Sequence, residues 1–291
     1  MITLCGLGLI SCSRPIPILP SSSAFESPDT NQPIVLRLAL IGDTGDPAPQ
    51  ESALNTLLAW TETSPVTTLI IFLGDSIYEK GLPLPTDPDR SEAERRLNRQ
   101  LAIIKDSQAQ AIFIPGNHDW AKGHADGLER LRQMHSFIQQ ALGGVGHVRP
   151  QPGCPGPDSL DLEPVRIVFL DTQWWLQKDE KKGNPVCPFS DHASVQAELT
   201  RLLSHAEGRY VFVMGHHPLA SHGPHGGYSP HSLIALKKWL FPSNQDLGGA
   251  RYANMMSELK RSFSRYPLSV RIGTRPQFAN LRRTSVCRVF L

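Results

Sequence analysis

No apolar run in this 291-residue chain is long enough to cross a membrane, which argues against an integral helical membrane protein. Charge of either sign is not in excess either. With 29 basic against 27 acidic residues, the chain lacks the electrostatic footprint of a nucleic-acid binder. None of the five cysteines (Cys5, Cys12, Cys154, Cys187, Cys287) stands at C-x-x-C spacing, which argues against a zinc ribbon or thioredoxin-type site. Internal repeats are missing, so a solenoid is out. Finally, no histidine follows His231. That last absence matters once the motifs are laid out.

Glycine (23) and proline (25) are plentiful, which fits a loop-rich α/β enzyme better than a helical bundle. The length suits one large domain or at most two small ones. From Ile34 onward strand and helix patterns alternate, the layout of an α/β fold. Strands are predicted over 34–41, 67–73, 111–114, 165–170 and 210–214. Helices are predicted over 50–61, 91–105, 123–142, 191–206, 229–240 and 249–263. Four of the strands run into a Gly followed closely by a metal-ligating residue type: Gly42-Asp43, Gly74-Asp75, Gly116-Asn117-His118-Asp119 and Gly215-His216-His217. Open α/β sheets place their sites at the carboxyl ends of their strands, so these residues are expected to converge there.

The residue types suit hard cations. Asp43 and Asp75 offer anionic oxygens, Asn117 a neutral amide oxygen, His216 an imidazole nitrogen and Tyr78 a phenolate. Two cations sharing one carboxylate would clamp a phosphate ester and supply a hydroxide nucleophile. His118 would face the substrate as an acid, with Asp119 orienting its imidazole. Taken singly, each has a blander reading. An Asp after a strand-ending Gly is commonly a turn former or helix cap, and Tyr78 alone reads as a core-edge residue. His217 reads as a packing residue or a supporter of the ligands rather than a ligand itself, and Trp174-Trp175 as core or pocket wall. Only the joint pattern favours a site.

That ordered set resembles the first four motifs of the calcineurin-like metallophosphoesterase superfamily. The Thr-Gly after Asp43 and the tyrosine at position 78 are similar to its purple acid phosphatase branch. The resemblance implies an α/β/β/α sandwich over residues 34–268, with the metal site at the carboxyl ends of the strands. It implies two metal ions, Fe(III) held by Asp43, Asp75 and Tyr78, and Fe, Zn or Mn held by Asp75, Asn117 and His216. It further implies a small phosphate-ester substrate, with His118 and Asp119 as catalytic residues and His222 or His225 lining the phosphate pocket. Phosphomonoester hydrolysis is the leading expectation, phosphodiester hydrolysis or an inactive scaffold the alternatives.

The termini carry separate expectations. Leu9-Ile10-Ser11-Cys12 resembles a bacterial lipobox without the usual basic n-region. It implies export, as a periplasmic or membrane-anchored lipoprotein with Cys12 lipidated and residues 1–33 as leader and Pro/Ser-rich tether. In an oxidising compartment Cys154 and Cys187 are either disulfide partners or two loop thiols. The family pattern closes with Gly-His-x-His, and this chain has no such motif. Residues 269–291 are instead Arg-rich and without clear period, a poor continuation of a buried core. With synonymous codon choice, the frame one base later over Ser269 to Leu281 can read Val-Tyr-Ala-Ser-Gly-His-Asp-His-Asn-Leu-Gln-Ile. The tail is therefore expected to be a frameshifted, non-native segment, leaving the fold C-terminally truncated.

Overall fold

A computed structural model describes residues 34–47, 52–62, 67–107, 109–177, 186–219, 249–264, 266, 268–271, 277–280 and 287–290. The expected helix over 229–240 lies outside these residues, as do His222, His225 and the leader. Two sheets are stacked on each other. The first has the order β3-β2-β1-β8, built from β1 (Arg37–Ile41), β2 (Thr68–Phe72), β3 (Gln110–Phe113) and β8 (Gln277–Asn280). Its first three strands are parallel, and β8 runs antiparallel to β1. The second has the order β4-β5-β6-β9-β7, from β4 (Asp158–Leu162), β5 (Val165–Phe169), β6 (Tyr210–Met214), β7 (Leu268–Arg271) and β9 (Cys287–Phe290).

Period-two alternation sorts the strand side chains between two faces. From the first sheet, Leu38, Leu40, Leu69, Ile71, Ile112 and Ile114 meet Val165, Ile167, Phe169, Phe212 and Met214 of the second in a shared inner core. The opposite face of the first sheet (Ala39, Ile41, Ile70, Phe72, Phe113) packs on α1 (Ser52–Glu62), α2 (Arg90–Asp106) and α3 (Gly127–Leu142). Phe72 and Phe113 stack there at 4.3 Å. The outer face of the second sheet (Val168, Val211, Val213) packs on α4 (Thr172–Leu176), α5 (His192–Ser204) and α6 (Ala250–Phe263). Helix, sheet, sheet, helix is the layering, and strands β1, β2, β5 and β6 are buried on both faces. That explains why β1, β2, β5 and β6 read as mostly apolar runs, with only the buried Arg37, Thr68 and Arg166 departing from the pattern.

Two points of the sequence reading need correction. The helix expected from 123 begins at Gly127, because a 3₁₀ turn (Ala121–Gly123) with Lys122 at φ 56° intervenes. Strand β4, absent from the sequence reading, pairs antiparallel with β5; its residues alternate between half-buried and exposed, so they lack an apolar signature. Further along, the described backbones of Leu268–Arg271, Gln277–Asn280 and Cys287–Phe290 form β7, β8 and β9, each a four-residue strand added to a sheet. Cys154 and Cys187 are disulfide-bonded across a sequence separation of 33. Among the described residues no helix is long and apolar enough to cross a membrane.

Candidate metal centre

Adjacent parallel strands β1, β2 and β3 deliver three loops to one edge, and β6 delivers a fourth from the neighbouring sheet. The strand ladder continues past the strand ends, with Leu73 N donating to Ile41 O at 2.7 Å and Asp43 N to Gly74 O at 3.1 Å. Both aspartates then enter the left-handed region, Asp43 at φ 57° and Asp75 at φ 55°. Asp tolerates that region better than most residues, but two such turns side by side are unusual and mark functional sites often enough to direct attention here. Two glycines make the convergence possible. Gly74 sits at φ 90°, and a Cβ there would lie 2.6 Å from His216 Nδ1. A Cβ on Gly116 would lie 2.3 Å from both the amide nitrogen and Oδ1 of Asp75.

One ligand atom from each of Asp43, Asp75 and His216 falls within a 4.8 Å cluster. His216 Nδ1 faces the Leu73 carbonyl at 2.8 Å. A carbonyl can only accept, so Nδ1 carries the hydrogen and Nε2 turns inward. Nε2 meets Asn117 Oδ1 at 2.9 Å and Asp75 Oδ1 at 3.4 Å. Anchoring one ring nitrogen on a carbonyl to aim the other is the arrangement of metal-ligating histidines. Burial works against a charge on His216, but the carboxylates of Asp75 and Asp43 and the Leu73 carbonyl outweigh it and raise its pKa. The pocket thus calls for positive charge, met by a proton on the ring or by a cation. The oxygen and nitrogen donors fit a divalent ion. Tyr78 donates its phenol hydrogen to Asp43 Oδ1 at 2.9 Å, and burial with the nearby charges of Asp75 and Asp43 raises its pKa. Phenolate ligation there requires a cation hard enough to displace that proton.

His118 is anchored in the same manner. Its Nδ1–H donates to the Glu79 carbonyl at 2.7 Å, its backbone N donates to Asp75 Oδ1 at 2.9 Å, and Nε2 lies 3.8 Å from Asp75 Oδ2. Tyr78 packs edge-on against its ring at 4.2 Å. Burial lowers its pKa against the opposing pull of Asp75 and the Glu79 carbonyl.

Asp119 departs from expectation. Instead of orienting the His118 imidazole, it is fully buried, and its carboxylate accepts from Gly116 N at 2.9 Å, Ser76 N at 3.0 Å and Ile77 N at 3.2 Å. It ties the Asp75 loop to the Asn117 loop. Burial, then the Asp75 charge, pushes its carboxyl up to about 7. The positioning of His118 falls to a backbone carbonyl, which no sequence motif announces.

Two further residues escaped the sequence reading. Gln100, on the otherwise apolar face of α2, donates to Ser76 O at 2.7 Å and accepts from Thr44 Oγ1 at 2.9 Å. Thr172, the first residue of α4, accepts from the amides of His216 and His217 and meets His217 Nδ1 at 2.8 Å. His217 is a buried packing residue, as expected, and burial holds its pKa well below 6.5. The signals were a polar residue at a buried helical position and a Thr after the Asp171 cap, both common elsewhere for other reasons. Trp174 and Trp175 are core residues.

No curated protein sequence matches the chain. Among solved structures it resembles GAP50, described as the anchor in the inner membrane complex of Plasmodium. Identity there is 16%, the match covers 84% of this chain and 70% of that one, and the TM-score is 0.42. The family model described as calcineurin-like phosphoesterase matches residues 36–247, which include Asp43, Asp75, Asn117, His118 and His216. The chain belongs to the calcineurin-like phosphoesterase family.

Proposed function

We propose that the protein is a metal-dependent phosphomonoesterase of the purple acid phosphatase type. The observation that carries the reading is the approach of His216 Nε2 to Asn117 Oδ1 at 2.9 Å and to Asp75 Oδ1 at 3.4 Å, with the His216 tautomer fixed by Leu73. Asp43, Asp75, Asn117 and His216 would hold the metal ions, with Tyr78 as an Fe(III) ligand. Such ions, when bound, neutralise phosphoryl charge and lower the pKa of water. His118 is anchored through Nδ1–H, so it would serve the departing alcohol oxygen as an acid only as the imidazolium, with a second proton at Nε2 that the nearby Asp75 carboxylate favours. Asp119 keeps the two loops in register and acts through them.

Tyr78 favours this branch over a phosphodiesterase with two non-iron metals, and the two readings separate by colour, since Fe(III)–phenolate absorbs in the visible. His222 or His225 would contact the phosphate. The Cys154–Cys187 disulfide supports an oxidising compartment, in agreement with export through the Cys12 lipobox. Residues 217–291 carry no Gly-His-x-His motif, and losing such ligands would weaken metal binding, since loss of outer-shell partners alone typically costs tenfold or more in metal affinity. A shifted frame from residue 269 accounts for that loss.

The test is turnover of a chromogenic phosphate monoester and the matching diester by metal-loaded protein, beside His118→Asn. Monoester turnover abolished by chelator and lowered about 10²-fold or more by His118→Asn is expected. Preference for the diester, or turnover indifferent to chelator, would contradict the proposal.

A further inference from the structure

The two aspartate loops leave neighbouring strands, and one helix grips both. Gln100 is fully buried among the apolar residues of α2. Its carboxamide reaches the residue that follows each aspartate. Oε1 accepts from the Thr44 hydroxyl, next to Asp43, while Nε2 donates to the Ser76 carbonyl, next to Asp75. One helical turn earlier, Arg96 repeats the bridge. Its guanidinium donates to the Tyr78 carbonyl at 2.9 Å and pairs with Asp46 at 3.2 Å. Glu92 on the same helix steadies that guanidinium at 2.8 Å. Residues four apart on a helix lie on one face, so the two side chains form a single brace across the loops.

Backbone contacts also join these loops: Tyr78 N donates to Gly45 O at 3.1 Å, and Gly45 packs against the Asp75 carbonyl. Those contacts fix how near the loops come. Asp43 N on Gly74 O and the Asp119 carboxylate on Ser76 N hold the turns from the other side, and the carboxamide meets the chain one residue past each left-handed turn. A buried carboxamide satisfied on both sides is rigid, since breaking either bond strands a buried polar group.

We propose that Gln100 and Arg96 are positioning residues that fix the separation and aim of Asp43 and Asp75, and so set how tightly the site holds a metal. The proposal rests on the metal-centre reading above. It is tested by cobalt(II) titration of the full chain, following the visible absorption band and the dissociation constant, with thermal unfolding as a check on folding. Gln100→Met keeps the volume and removes both arms; Thr44→Val removes one arm and leaves α2 untouched. Arg95→Gln, on the exposed side of the same helix, is the control.

Gln100→Met should raise the dissociation constant about tenfold or more and shift the band, with Thr44→Val changing both in the same direction by less. The control should match wild type. If Gln100→Met does not fold, Thr44→Val decides alone. Wild-type affinity and band in the variants, or equal loss in the control, overturns the proposal while leaving the metal centre intact. Failure of wild type to bind cobalt at millimolar concentration overturns the metal-centre reading and the brace together.

Discussion

His118 and Asp119 are neighbours in sequence with opposite environments. The first points its ring toward Asp75 and the pocket; the second turns into the interior and holds three backbone amides. Asp119→Ala would leave those amides buried without acceptors, at about 1–3 kcal/mol for each. A loss of several kcal/mol in a urea melt is therefore expected, and near wild-type stability would show that the carboxylate is not structural. Asp171 shows a second consequence of burial. It accepts from Trp120 Nε1 at 2.8 Å and Trp174 N at 3.1 Å, and burial lifts its pKa from 3.8 to about 7. Between those values the folded protein holds a proton that the unfolded chain releases, so stability falls as pH rises through that window. Asp171→Asn should flatten that part of the melting-temperature profile; an unchanged slope would refute the assignment. The ligand types at Asp43, Asp75, Asn117 and His216 were legible in sequence because each follows a strand-ending glycine. Gln100, Thr172 and the Leu73 and Glu79 carbonyls were not, because their roles exist only once distant loops meet.

Strands were readable where both faces are buried. β1, β2, β5 and β6 are all-buried five-residue strands, and an apolar run bounded by glycine or proline announces them. β4 was missed for the opposite reason, since an edge strand with alternating exposure has little apolar content. Helix α2 was legible from its spacing, but Gln100 within its apolar face carried no meaning without the loops above it. The strand-to-loop junctions set the precision of the site. Gly74→Ala would place a methyl 2.6 Å from His216 Nδ1 at a positive φ. That change should cost about 1–3 kcal/mol of stability and weaken metal binding more than a comparable change remote from the pocket. Equal cobalt affinity in a folded Gly74→Ala protein would show that this junction does not hold the imidazole. In the core, Leu101→Ala, fully buried against the first sheet, should cost about 2–5 kcal/mol while leaving the metal dissociation constant of the folded protein unchanged.

At the scale of the molecule, four motif loops meet at one edge of a layered sandwich, and the last segment raises a different question. Its backbone supplies β7, β8 and β9, and no histidine follows His231 in residues 232–291. A frameshifted origin makes a definite claim about the gene: the bases across codons 269–281 read a strand and Gly-His-Asp-His one base later. Any other reading in that frame ends the idea. The centre itself is most directly tested by anomalous diffraction from crystals soaked in manganese or zinc. Metal density is expected within about 2.0–2.3 Å of Asp75 Oδ1 and, for zinc, His216 Nε2, with Asn117 Oδ1 beside it. Density elsewhere, or none at millimolar metal, would contradict the assignment of these residues as a metal centre.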